Sequence, residues 1–150
     1  MNTQSFCVAT HTPCVGMCST VYGDEICRGC RRLSHEVVRW NGFSTDEKLK
    51  VIDRLGGLIE VVMAGKVDRV DLDLLESSLK HLSIRYYPQH PPITWVYGLM
   101  RTRAQKGEEV QDLEVYGVFF KPDYQSVSLL SLLSEVDEAL YEKSQVASTE

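Results

Sequence analysis

Five cysteines stand in this 150-residue chain, and four of them fall between residues 14 and 30. Cys14, Cys18, Cys27 and Cys30 are spaced C-x3-C-x8-C-x2-C. A close pair of cysteines lets one turn of backbone present two sulfurs to a shared ion. Two such pairs joined by a short loop complete a four-sulfur site. Two disulfides would need an oxidising compartment, and a redox-active Cys27-x-x-Cys30 would lack the βαβ surroundings of a thioredoxin-like dithiol. We therefore expect the four side chains to hold one metal centre. Their spacing departs from the bacterial and plant-type ferredoxin runs, so spacing alone favours a zinc ion over an iron–sulfur cluster.

Four thiolates on a divalent ion leave a net charge of about −2. Arg28, Arg31 and Arg32 lie beside them and could offset it; with Arg39 they form the only basic concentration. Such a cluster could instead touch the phosphates of RNA or DNA, but charge balance is the reading we prefer. His11, three residues before Cys14, could replace one sulfur, although the cysteines already suffice. Cys7 reads as a spectator thiol in an unpatterned N-terminus.

The elements that must position these residues can be read from periodicity. Residues 1–12 are polar and expected to be mobile. Residues 13–30 form a compact loop whose Tyr22-Gly23-Asp24-Glu25 turn suggests a small hairpin folding one pair onto the other. A helix is expected from about Cys30 to Trp40, with Leu33, Val37 and Trp40 on one side, so that unpaired N–H groups of its first turn face the second pair. Asn41-Gly42 stops it. Loop, hairpin and helix together resemble the outline of a treble-clef zinc module. Ser44 and Glu47 form a capping box for a following helix carrying Leu49, Ile52 and Leu55, and Gly56-Gly57 leaves its end open. Glu36 is expected to fix the loop by binding backbone N–H groups or an arginine, and Trp40 to cover the metal loop beneath the second helix.

Pro13-Cys14, Cys18, Cys27-Arg28-Gly29-Cys30, Glu36-Val37 and Trp40, followed by the capped helix, resemble the bacterial domain-of-unknown-function family 1289 over about residues 13–56. The resemblance implies Cys14, Cys18, Cys27 and Cys30 as ligands. Members are often labelled predicted iron–sulfur proteins, without an established biochemical function. That label pulls against the spacing, so zinc and iron–sulfur stand about level.

Residues 57–150 read as an α+β region of unknown type. Leu72, Leu75, Leu79 and Leu82 mark a helix over Asp71–Ser83. Ile93, Trp95, Tyr97 and Leu99 alternate, as do residues near Leu113–Phe120, which suggests a β-hairpin across Lys106-Gly107-Glu108; a helix starting after Pro92 fits the first segment equally. Leu129, Leu132, Leu133, Val136 and Leu140 mark a C-terminal helix. His81, His90, Trp95 and Tyr86-Tyr87 could line a cleft, with Arg101 and Arg103 beside His90 as a candidate for an anionic ligand. Structural roles are the simpler account, because no nucleophile, paired base or Gly-rich phosphate loop accompanies them. His35 reads as an exposed helix residue.

Hydrophobic residues at 43% and charged residues at 25% exclude a disordered chain, and no apolar run is long enough to cross a bilayer. The N-terminus has no basic start and apolar core, so a reducing, cytoplasmic location is expected. The net charge of −5 is concentrated in residues 108–150 at −8, against +1 for 1–56 and +2 for 57–107. An acidic chain is a poor non-specific nucleic-acid binder. The expected function is a small non-catalytic metal-binding module for a protein partner, with no small-molecule substrate identified. The alternatives are iron–sulfur electron transfer, including an accessory subunit of an oxidoreductase, and a nucleic-acid-binding treble clef using the Arg cluster. An enzyme with its site in the C-terminal region ranks last.

Overall fold

The computed structural model describes residues 10–16 and 18–148. Residues 1–9, and Cys7 with them, lie outside the described residues, as does Met17. A single turn of 3-10 helix, Ser19–Tyr22, separates the cysteine pairs. Then come α1 (Ser34–Arg39), α2 (Thr45–Ala64), β1 (Val67–Val70), α3 (Leu72–His81), α4 (Pro92–Gln105), β2 (Val118–Phe120) and α5 (Leu129–Ser148). The protein is therefore a mixed α+β structure, with helices around one two-stranded antiparallel sheet.

The capping box at Ser44 forms as its sequence dictates: the Ser44 hydroxyl accepts from the Glu47 N–H at 3.2 Å, and Glu47 accepts from the Ser44 N–H at 3.0 Å. From there α2 runs without interruption through Gly56-Gly57 to Ala64. Gly56 is required by a close approach, since a Cβ there would lie 2.6 Å from the His90 ring. Gly57 faces open space.

Two apolar clusters divide α2 between them. Val51, Ile52 and Leu55 pack with Trp40, and with partly buried Phe43 and Tyr87. Val62 and Met63, about two turns on from Leu55, enter the larger core with Leu75 and Leu79 of α3, Val96, Leu99 and Met100 of α4, and Leu129, Leu132, Val136 and Leu140 of α5. Each fully buried leucine contributes about 1.5–3 kcal/mol. The larger core owes nothing to the cysteine segment.

Residues 93–99 are helical, not a strand. Pro92 occupies the first helical turn, where its missing N–H costs nothing. Thr94, Trp95, Val96, Tyr97, Leu99, Met100 and Ala104 are all buried. A helix buried on most sides is apolar at nearly every position, so an alternating subset can be picked out of it by chance. The expected hairpin across Lys106–Glu108 is therefore absent. Residues Val110–Tyr116 form 3-10 helix, and β2 pairs with β1 instead, Val67 opposite Phe120 and Val70 opposite Val118. Gly117 has φ +89° and sits so close to Asp71 that a Cβ would meet its carbonyl oxygen at 2.9 Å. Only glycine suits both conditions.

Candidate functional site

The second cysteine pair lies at the tip of a tight hairpin, not at the start of a helix. Ile26 and Leu33 form an isolated antiparallel bridge. The Cys27 N–H donates to the Arg32 carbonyl at 2.9 Å, and the Arg31 N–H donates back to the Cys27 carbonyl at 2.7 Å. Arg31 follows with φ +66°, a left-handed conformation that no helix can continue through. Helix α1 accordingly starts at Ser34, four residues later than the periodicity suggests. The expected turn at Tyr22–Glu25 is likewise not a hairpin between the pairs; it follows the 3-10 turn Ser19–Tyr22.

The loop geometry nevertheless supplies the N–H groups that thiolates need. Burial pushes the Cys27 thiol up, but the backbone N–H groups of Cys30, Ser19 and Gly29, together with the Cys30 thiol, outweigh it and bring it down to about 7. Burial pushes Cys30 up, against the Arg32 guanidinium, whose Nε donates to its Sγ at 3.2 Å. The first pair adjoins this tip. The Ser19 hydroxyl accepts from the Arg28 N–H at 2.8 Å, which brings the residue after Cys18 onto the knuckle. Cys18 Sγ lies 2.9 Å from the Thr20 hydroxyl, and Cys14 Sγ accepts from the Gly16 N–H at 3.4 Å. Among the described residues no disulfide joins the four cysteines; Cys27 and Cys30 are buried and Cys14 is exposed. Among the described residues, no three His, Cys, Asp or Glu side chains converge closely enough to hold an ion.

Two of the four clustered arginines are internal. Arg31 and Arg32 are 4% and 3% exposed. The Arg32 guanidinium sits 5.1 Å from the Trp40 ring centroid while bonding Cys30, so it bridges sulfur and indole. Arg31 donates to the Tyr97 hydroxyl at 2.8 Å and pairs with Asp137 at 3.7 Å. Tyr97 in turn donates to Asp137 and accepts from Arg101 at 3.2 Å. Arg28 lies over the Tyr141 ring at 4.3 Å. Asp137 and Tyr141 stand one turn apart on α5, so the hairpin tip docks on α5 through two arginines. Arg28 and Arg39 remain exposed. His35 is exposed, as its helix position suggests.

Glu36 fixes the loop, as its sequence setting suggests. Its carboxylate accepts from the Leu33 N–H at 2.8 Å and bidentately from Arg54 of α2 at 2.6 and 2.7 Å. Burial pushes this carboxyl up, but Arg54 and the Leu33 N–H hold it below its ordinary value. Arg54, Tyr97, Asp137 and Tyr141 carry no local signal of these roles, because each lies far along the chain from its partner.

A cleft of about 210 Å³ opens between the cysteine loop, α2, α4 and the connection after α3. Cys14 and Cys30 border it, as do His90, Trp95, Tyr86, Tyr87 and Arg101. These last five include most of the residues whose types suggested a cleft. His81 and Arg103 are not among its walls; Arg103 pairs with Glu108. His11 stacks on Tyr87 with ring centroids 4.0 Å apart, and its Nδ1 lies 3.1 Å from the Thr12 carbonyl. Burial pushes the imidazole below its ordinary value, against the Thr12 and Tyr86 carbonyls.

The site thus defines a class: a short cysteine hairpin latched by Glu36, Arg31 and Arg32 onto a helical body. Residues 12–58 match the family described as protein of unknown function (DUF1289), about a third of the chain. No curated protein and no solved structure matches the chain. No helix among the described residues is long and apolar enough to cross a membrane.

Proposed function

We propose that Cys14, Cys18, Cys27 and Cys30 hold one metal centre, and that the chain is a non-catalytic, cytoplasmic metal-binding module for a protein partner. The observation that carries this reading is the Cys27–Cys30 knuckle, whose backbone N–H groups bring the Cys27 thiol down to about 7. A thiol so poised gives up its proton to a metal at little cost near neutral pH. The family match over residues 12–58 spans all four cysteines. Arg32, buried with its Nε 3.2 Å from Cys30 Sγ, supplies positive charge that offsets a thiolate-rich centre. Val21 and Tyr22, between the two pairs, are 74% and 89% exposed and give a protein partner apolar contact. In this reading the metal closes a loop that the large core does not reach, in the manner of a treble clef without its helix-borne second pair.

The second reading is iron–sulfur electron transfer to an oxidoreductase, for which the same four sulfurs serve. Anaerobic purification followed by metal and sulfide analysis and a visible spectrum separates the two. One zinc per chain and no colour support the zinc module. Iron, sulfide and broad charge-transfer absorption support the cluster. A protein free of both metals, even after reconstitution, would refute the metal centre itself.

A further inference from the structure

Beyond the metal centre, the cleft beside it gathers cationic residues on one apolar wall. Arg31, Arg85 and Arg101 line it, and among the described residues no Asp or Glu does. Three arginines lining one space is unexpected in a chain of net charge −5. Arg31 is partly neutralised by Asp137. Among the described residues, Arg101 has the neutral Tyr97 as its partner, at the hydroxyl and over the ring. Arg85 is exposed and pairs with no carboxylate among the described residues. Arg101 and Arg85 are therefore the cations of the cleft without a carboxylate of their own. Ile52, Leu55 and Ile59 from α2 and the rings of Tyr87 and Trp95 form an apolar wall, beside the polar groups of His11, Thr12, His90 and Thr94 and the Cys14 and Cys30 thiols. Tyr87 is kept in place by its hydroxyl, which donates to the His11 carbonyl at 2.7 Å, and Trp95 by its indole N–H, which donates to the Tyr87 carbonyl at 2.9 Å. Rigid rings and paired cations are the recurrent makings of a small-molecule site.

We propose that this cleft binds a small organic carboxylate, its anionic head held by Arg101 and Arg85 and its flat apolar body set against Tyr87, Trp95 and the α2 side chains. At about 210 Å³ the space is below that of a drug-sized site, which limits the ligand to one ring or a short chain. Guanidinium forks bind carboxylates bidentately, and half-buried ones do so with less competition from water. Inorganic phosphate meets the cations but leaves the apolar walls bare. A neutral isostere covers the walls but leaves the cations unpaired. The carboxylate with an apolar body satisfies both.

The test is calorimetric titration of the full chain, in the metal state in which it is purified, with benzoate, benzamide and inorganic phosphate. The expected result is one benzoate per chain, with benzamide and phosphate each about tenfold weaker or more. Arg101→Gln and Arg85→Gln should each weaken benzoate about tenfold, while Lys80→Gln, on the exposed side of α3, leaves it unchanged. Arg85 is exposed, so its replacement keeps the test valid even if Arg101→Gln disturbs the fold. Equal binding of benzamide would overturn the anionic head, and equal binding of phosphate would overturn the apolar body. No benzoate binding at millimolar concentration, or equal weakening by Lys80→Gln, would overturn the site. Metal analysis of the same sample reads the fate of the metal centre separately.

Discussion

Replacing Glu36 by Gln tests the latch that joins the cysteine loop to the helical body. The carboxylate accepts three hydrogen bonds, two from Arg54 and one from the Leu33 N–H that opens α1. Glutamine keeps the shape and one acceptor, but its amide NH2 then faces the Arg54 donors. Hydrogen bonds to charged groups contribute about 1.5–3 kcal/mol each. Arg54 is 36% exposed and can recover water once its partner is lost, so the expected loss is reduced to about 2 kcal/mol at neutral pH. The pH dependence has a definite sign. The folded carboxyl is held below its ordinary value, so its stabilising contribution is complete above the unfolded value of about 4.3 and disappears as pH falls through the folded value. Urea unfolding followed by tryptophan fluorescence, at neutral pH and at several points below pH 5, should show a gap between parent and variant that is full at neutrality and closes in acid. Proton competition for the cysteines weakens both proteins alike and leaves the gap interpretable. A gap of the same size at every pH, or no gap at neutrality, would refute the latch.

Three further outcomes follow from the packing. Gly56→Ala drives a Cβ to 2.6 Å from the His90 ring, which is anchored to Asp53 at 2.9 Å, whereas Gly57→Ala meets nothing. The first should lower stability by about 1–2 kcal/mol and the second raise it by about 0.5–1 kcal/mol, as read in parallel thermal melts. Tyr97→Phe strips a hydroxyl that serves Arg31, Arg101 and Asp137 together, and should cost about 1–3 kcal/mol in chemical denaturation. Because the larger core includes no cysteine-loop residue, chelation should abolish amide-exchange protection in Ile26–Leu33 while α4 and α5 keep theirs.

Legibility in the sequence followed the range of the interactions. Ser44 and Glu47 announce their helix because a capping box is complete within four residues. The leucines of α3 and α5 announce theirs because one face is buried and the other is wet. Glu36 was readable as a brace, although not its partner Arg54, which lies on another helix. The α4 segment misleads because burial on nearly all sides erases helical periodicity, leaving Ile93, Trp95, Tyr97 and Leu99 to imitate a strand. Val67–Val70 gives too little pattern in four residues to reveal a strand whose partner is some fifty residues on. At the site, the cysteine pairs are plain, but the left-handed turn at Arg31 is not, since that conformation is uncommon for a residue with a Cβ. Reading a helix onto Cys30 missed it. Charge balance beside the cysteines is readable from the arginine cluster, but not the burial of Arg31 and Arg32, because Tyr97, Asp137 and Trp40 are brought to them only by the fold.

X-ray absorption at the metal edge reads directly whether four cysteine sulfurs hold one metal. A first shell of sulfur alone is expected, four per metal at about 2.3 Å for zinc, falling to three sulfurs or to loss of metal in Cys18→Ser. A shell with two sulfurs completed by nitrogen or oxygen, unchanged in Cys18→Ser, would contradict it.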